Sequence, residues 1–156
     1  WGEIFTLPEA KINEEVAVVV GTDGAKMSKS YQNTIDIFAS QKALKKQISS
    51  IVTDSTALED PKDYQNCNVF KIAKLFLNEV EQKELQARYE KGGEGYGHFK
   101  MYLNDLVNEY FKEARMKYDE LLEKPSHLKE ILELGASKAR KIAQEKMQKI
   151  YEKIGL

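Results

Sequence analysis

The chain has 156 residues, 42% of them hydrophobic and 31% charged, with a formal net charge of −1. That composition suits one ordinary globular domain or two small ones, and it excludes a disordered, collagen-like or membrane-embedded chain. With charge so nearly balanced, any contact with nucleic acid must come from local clusters of cations rather than from a generally basic surface.

In chain order, the first signal is EVAVVV at residues 15–20, where five apolar residues follow Glu15 and stop at Gly21. Such a run predicts a strand buried on both faces, as in a parallel sheet, with GEIFTL at residues 2–7 as the other candidate strand. Two short strands make a poor sheet, so the run reads as the edge of a larger sheet. From residue 40 onward the pattern is helical. Leu44, Ile48 and Ile51 share one face of a first helix, and Ser40 stands at its start. Turn-rich connectors follow at residues 53–55 and 59–63. Asn68 is the expected cap of a helix carrying Val69, Ile72, Ala73 and Phe76, and residues 79–90 form the next, stopped by Gly92 and Gly93. From Phe99 an unbroken helical period of apolar residues runs to Glu123, and Pro125 breaks it. Ser126 is the expected cap of a last long helix with Leu128, Ile131, Leu132, Ala139, Ile142, Ala143, Met147, Ile150 and Ile154 turned inward, Gly135 marking a close packing point or a bend. Two long helices joined by a tight turn predict an antiparallel pair.

The chemistry concentrates in GTDGAKMSKSYQNTIDIF, residues 21–38. A glycine-rich loop after a strand end is where open α/β sheets place ligands. Lys26 and Lys29 supply compact positive charge, Ser28 and Ser30 supply hydroxyl donors, and the set suits a triphosphate or departing pyrophosphate. The spacing of a Walker loop is absent. Cys67 is the only cysteine, and His98 and His127 lack ligand spacing, so no protein metal site is expected and a reducing, cytoplasmic setting fits.

The pentapeptide Lys26-Met27-Ser28-Lys29-Ser30 reads KMSKS, one of the two signatures of class I aminoacyl-tRNA synthetases. It arises by chance in on the order of one in ten thousand chains of this length, so it carries weight. With IVTDS at 51–55, GGEGYGHFK at 92–100 and LELGASKARKIAQEKMQKIYEKIGL at 132–156, the chain resembles the C-terminal part of the bacterial tryptophanyl-tRNA synthetase family over essentially all its length. The resemblance implies a mainly α fold. Residues 1–38 would be a strand and loop remnant of a Rossmann catalytic domain, and residues 39–156 a helical anticodon-binding bundle. The family's other signature, His-Ile-Gly-His or a close variant, has no match, and the chain opens on Trp1. Both features suggest a piece of a longer enzyme, inactive by itself.

The resemblance further implies activation of tryptophan by ATP with Mg2+, then transfer to tRNA(Trp), in a cytoplasmic homodimer without membrane contact. Lys26 and Lys29 would be catalytic, with Lys29 making the transition-state contact. Ser28 and Ser30 would hold phosphate or the loop, Met27 would pack beside the adenine, and backbone within Val16–Val18 would meet the adenine. Gly21 and Gly24 would let the loop swing. Lys91, Lys100, Lys138, Arg140 and Lys141 are the tRNA candidates, against the ordinary reading of such lysines as a solvated face. Tyr96 and Phe99 suit either base stacking or core packing. The alternatives are a tyrosyl-tRNA synthetase, disfavoured by GYGHFK and GASKAR, and a stand-alone non-catalytic tRNA-binding module.

Overall fold

The computed structural model describes residues 4–13 and 17–156. Asn13–Arg115 forms one compact unit, and Met116–Leu156 with the described residues up to Ile12 forms a second. The larger unit is built from α1 (Gln41–Ser49), α2 (Asn68–Ala73), α3 (Glu79–Lys91) and α4 (Tyr96–Tyr110), with short 3-10 turns at Lys29–Tyr31 and Lys74–Phe76. α5 (Lys112–Glu123) leads into the smaller unit and its 30-residue α6 (Pro125–Ile154).

Among the described residues, side-chain caps begin two of the six α-helices, α1 and α3. Ser40 Oγ accepts from Ala43 N–H at the head of α1. Asn78 and Glu81 form a reciprocal capping box on α3, Asn78 Oδ1 accepting from Glu81 N–H (3.0 Å) and Glu81 Oε2 from Asn78 N–H (2.8 Å). α3 ends where Gly92 takes φ +73°, a left-handed value at which a Cβ would also collide with the Glu59 carbonyl. The core lies among α1, α2, α3 and α4. Tyr89 and Phe99 are fully buried and stacked with centroids 3.8 Å apart, among Leu44, Ile48, Val69 and Leu103. Burial raises the Tyr89 hydroxyl well above the ordinary tyrosine range, and it sits 3.6 Å from Cys67 Sγ.

Several expectations need correction. Among the described residues there is no strand. Ala17–Val20 runs without ladder partners apart from a single bridge between Val20 and Lys26, and Val18 is 59% exposed. An apolar run has strand preference, but only neighbouring strands make it a strand. Residues 4–7 are likewise irregular, and residues 2, 3 and 14–16 lie outside those described. Asn68 does not cap α2; Cys67 holds that position, and the Asn68 amide donates instead to Val52 O (3.1 Å). The period from Phe99 to Glu123 is two helices, because Phe111 leaves helical geometry (φ −97°, ψ 9°). The break sets Phe111 against Phe76 and lets the Arg115 guanidinium donate to the carbonyls of Ile37 (2.8 Å) and Ala39 (2.6 Å). Pro125 starts α6 rather than only ending its predecessor, since its missing N–H is an orphan at a first helical position anyway. The inward face expected for α6 is not buried: Ile131, Leu132, Ile142, Met147 and Ile154 are exposed, and neither α5 nor α6 buries a side chain. No antiparallel seam therefore forms between them. α6 runs straight through Gly135, which has open space around it. No described helix is long and apolar enough to cross a membrane.

A buried cation holds the connector between α1 and α2. Lys62 is 3% exposed, and its ammonium donates to the carbonyls of Ala57 (3.0 Å), Leu58 (3.1 Å) and Asp60 (3.0 Å). Three acceptors match the three N–H donors of a lysine, which is how a buried charge is tolerated. Lys62→Met keeps the length but removes the donor: Asp60 O loses its partner, while Leu58 O keeps Gly93 N–H (3.0 Å) and Ala57 O keeps Asp60 N–H (3.3 Å). The expected loss is roughly 1–3 kcal/mol of stability, read as a lower denaturant midpoint at unchanged m-value.

Arg88 and Glu94 form a two-pronged pair (2.9 and 2.6 Å), which lowers the Glu94 carboxyl below the ordinary glutamate range. Its folded value is depressed, so its contribution is present above the unfolded pKa and lost as pH falls through the folded one. Because both side chains are about a third exposed, that contribution is at most about 1 kcal/mol. Urea midpoints of wild type and Glu94→Gln should differ at neutral pH and converge below the ordinary glutamate range.

Candidate functional site

The loop from Gly21 to Asn33 is closed by its own backbone and by one buried amide. Gly21 N–H donates to Ala25 O (2.7 Å), Met27 N–H to Val19 O (2.9 Å), and Thr22 N–H to Asn33 O (2.9 Å). Gly24 takes φ +85°, which makes the tight reversal possible. Gln32 adopts a left-handed φ of 54°, unusual without glycine, and this turns the chain back so that Asn33 lies beneath the loop. Asn33 is 2% exposed. Its Oδ1 accepts from Ser28 N–H (2.7 Å), and its Nδ2 donates to Asp23 Oδ1 (2.8 Å) and Lys26 O (3.1 Å). Hydrogen bonding from Asn33 is the first cause holding the Asp23 carboxyl below its ordinary range, with Ala25 N–H adding to it against the effect of burial.

Above this frame the sequence-predicted groups stand in one place. Lys26 and Lys29 are exposed, and neither ammonium has an ion-pair or hydrogen-bond partner among the described residues. Met27 is half-buried between them. Ser28 caps the turn Lys29–Tyr31 and its Oγ lies 2.8 Å from Ser30 Oγ. Val18 is largely exposed, and Val16 lies outside the described residues. Two exposed cations and two hydroxyls thus share one loop held by its own hydrogen bonds.

The family profile of class I tRNA synthetases (W and Y) matches residues 2–112. The chain belongs to this family. It is 87% identical over all 156 residues to the tryptophan–tRNA ligase of Campylobacter jejuni, and 50% identical over 154 residues to that of Fusobacterium nucleatum. It is also similar to a crystal structure of tryptophanyl-tRNA synthetase from C. jejuni complexed with ADP and tryptophan. That likeness has a TM-score of 0.88 and covers the whole of this chain and 49% of the other. The chain spans about half the length of the curated relatives it matches.

The remaining candidates of this family member fall in both units. Lys91 and Lys100 belong to the larger unit, Lys138, Arg140 and Lys141 to the exposed surface of α6 in the smaller one. Lys100 lines a cavity of about 300 Å³ between α1 and α4, with Lys45, Ser49, Met101, Asn104 and Asp105. Its ammonium donates to Ser49 O (2.9 Å), and burial lowers its pKa from the ordinary lysine value. In the same wall Asn104 Oδ1 is buried without a hydrogen-bond partner. Phe99 is 1% exposed and serves the core. Tyr96 is half-buried, and its hydroxyl donates to the Asp54 carboxylate (2.8 and 2.9 Å), tying GYGHFK to IVTDS. Among the described residues no group of three or more His, Cys, Asp or Glu is placed to hold a metal ion.

Sequence reasoning passed over Asn33, Asp23 and the Asp54–Tyr96 tie. Asn33 sits in a polar stretch, where an asparagine reads as a surface turn residue; only the folded loop shows it buried. Gly21 also has a constraint beyond flexibility, because a Cβ there would strike the Asn33 side chain. Gly21→Ala should displace the amide. Hydrogen exchange at the Ser28 and Thr22 amides is then expected to speed up at least tenfold, with the amides of α4 unchanged.

Proposed function

We propose that this chain is the KMSKS-loop and anticodon-binding portion of a tryptophan–tRNA ligase, which forms tryptophanyl-adenylate from tryptophan and ATP and then charges tRNA(Trp). The observation that carries the proposal is the pair of exposed ammonium groups, Lys26 and Lys29, without partners among the described residues, on a locked loop in a chain 87% identical to such a ligase. Residues 1–38 are read as the edge of the Rossmann nucleotide-binding domain and residues 39–156 as the helical anticodon-binding domain.

Adenylate formation is an in-line attack of the tryptophan carboxylate on the α-phosphate, with pyrophosphate leaving. The nucleophile is already ionised, so no general base is required. Catalysis rests on positioning and on neutralising charge that builds on the leaving oxygens. Lys26 and Lys29 neutralise that charge, Lys29 in the transition state. Ser28 and Ser30 hydroxyls donate to phosphate or hold the turn. Met27 packs beside the adenine, and backbone at residues 16–18 meets it. The loop offers cations and hydroxyls rather than a carboxylate cluster. Mg2+ would arrive with the phosphates of ATP, where it would share the neutralisation of charge.

The RNA contacts are assigned to Lys91, Lys100, Lys138, Arg140 and Lys141. For Lys100, support comes from the α1–α4 cavity, which sets Lys100 and Lys45 beside a buried amide oxygen of Asn104 in need of a donor. The working enzyme is read as a cytoplasmic homodimer.

In the full-length protein, Lys29→Ala should lower tryptophan-dependent ATP–pyrophosphate exchange by roughly 10²–10³-fold, the range seen for loss of one charge-stabilising donor. Full exchange in both Lys26→Ala and Lys29→Ala would sink the proposal. Lys100→Ala should leave exchange intact and weaken tRNA(Trp) binding, with the salt dependence of binding falling by about one phosphate contact.

A further inference from the structure

We infer that Asn33 is a positioning residue for adenylate formation: its buried amide aims Lys26 and Lys29 at the phosphates without touching them. The inference rests on the phosphate-binding reading of the loop. It assigns a role to a residue outside the KMSKS pentapeptide.

The geometry is specific. All three side-chain hydrogen bonds of Asn33 go to the loop itself, at Asp23 Oδ1, Lys26 O and Ser28 N–H. Two of these contacts, Lys26 O and Ser28 N–H, flank Met27 and bracket the start of the motif. The bond to Ser28 N–H fixes the residue that caps the Lys29–Tyr31 turn, and hence the direction in which Lys29 leaves the backbone. The bond to Lys26 O fixes the peptide from which that lysine projects. One planar amide therefore sets both cations relative to each other. Asn33 is absent from the hydrophobic core and its side chain makes no hydrogen bond to any helix. Removing it should disturb the loop rather than the fold.

The two ends of the amide are not interchangeable. Oδ1 must accept and Nδ2 must donate, because the group facing Nδ2 is a carboxylate and a carbonyl. Asn33→Asp keeps the acceptor for Ser28 N–H but turns an anion toward Asp23 Oδ1 and Lys26 O. A charge-restoring double change, Asp23→Asn with Asn33→Asp, returns a donor–acceptor pair between positions 23 and 33.

The test uses the full-length protein and ATP–pyrophosphate exchange, with ATP and tryptophan varied separately, beside transfer from preformed adenylate to tRNA(Trp) and thermal denaturation. A misplaced reacting group costs up to about 10²-fold. Asn33→Ala is therefore expected to lower kcat/KM for ATP by roughly 10–100-fold while the KM for tryptophan, the transfer rate and the denaturation midpoint stay near wild type. Asn33→Asp should be worse than Asn33→Ala, and the double change should recover part of the loss. Unchanged exchange in Asn33→Ala overturns the inference, as does an equal fall in every parameter together with the midpoint, which marks a purely structural role. Lys26→Ala and Lys29→Ala are run alongside. If both of them also leave exchange unchanged, the phosphate reading of the loop fails; if either is impaired while Asn33→Ala is not, only the role of Asn33 fails.

Discussion

The side-chain amide of Asn33 is the group on which the loop depends. A stretch containing glycines, serines and lysines has little tendency to hold one shape, because no side chain buries enough apolar surface to offset the lost conformational entropy. Hydrogen bonds inside the loop must supply the order. Each is worth only about 0.5–1.5 kcal/mol net, but leaving a buried partner unmet costs about 1–3 kcal/mol. Asn33 makes three such bonds from one buried amide, all within the loop, so its loss falls on the order of the loop and not on the helical core. The left-handed Gln32 beside it stores some backbone strain, a cost that persists only where surrounding bonds over-determine the turn.

The loop is in turn tied to the helical core. Val52 N–H donates to Thr22 O (2.7 Å), and the Asn68 amide holds Val52 O (3.1 Å). Gly24 packs so near the Asn68 side chain that a Cβ would sit 2.7 Å from its Nδ2. Two residues beyond Val52, Asp54 receives the Tyr96 hydroxyl. Tyr96 heads α4, whose Phe99 stacks on Tyr89 in the core. A short chain of polar contacts thus connects the cation-bearing loop to close-packed aromatic rings. Order reaches the loop from the core, while the two lysines stay exposed.

The smaller unit follows different physics. α6 is continuous over 30 residues, and its shape comes from its own backbone hydrogen bonds rather than from a buried face. Lys146 donates to Ile4 O (2.7 Å) and lies over the Phe5 ring, one of the few tertiary ties this helix makes among the described residues. Lys138, Arg140 and Lys141 on this helix are exposed to water.

Local rules were enough for a large part of this protein. KMSKS placed Lys26, Ser28, Lys29 and Ser30 in one loop, because five adjacent residues remain adjacent in any fold. The 3.6-residue period located most helices, and the glycine pair at 92–93 marked the end of α3, since these effects act within a turn or two of chain. What only the tertiary structure decided were matters of distant partners. The valine run near Val20 is no strand without neighbouring strands to pair with. Asn68 abandons its capping role for Val52, and Phe111 breaks a seamless apolar period to reach Phe76. The apolar stripe of α6 stays exposed, because periodicity shows that a face is apolar and not what covers it. Asn33 and Asp23 are separated by ten residues, and their pairing depends on a left-handed turn that no composition rule reports. Hydrogen-bond partners at such separations are chosen by the folded backbone, so the loop's cations were visible in the letters and the amide that aims them was not.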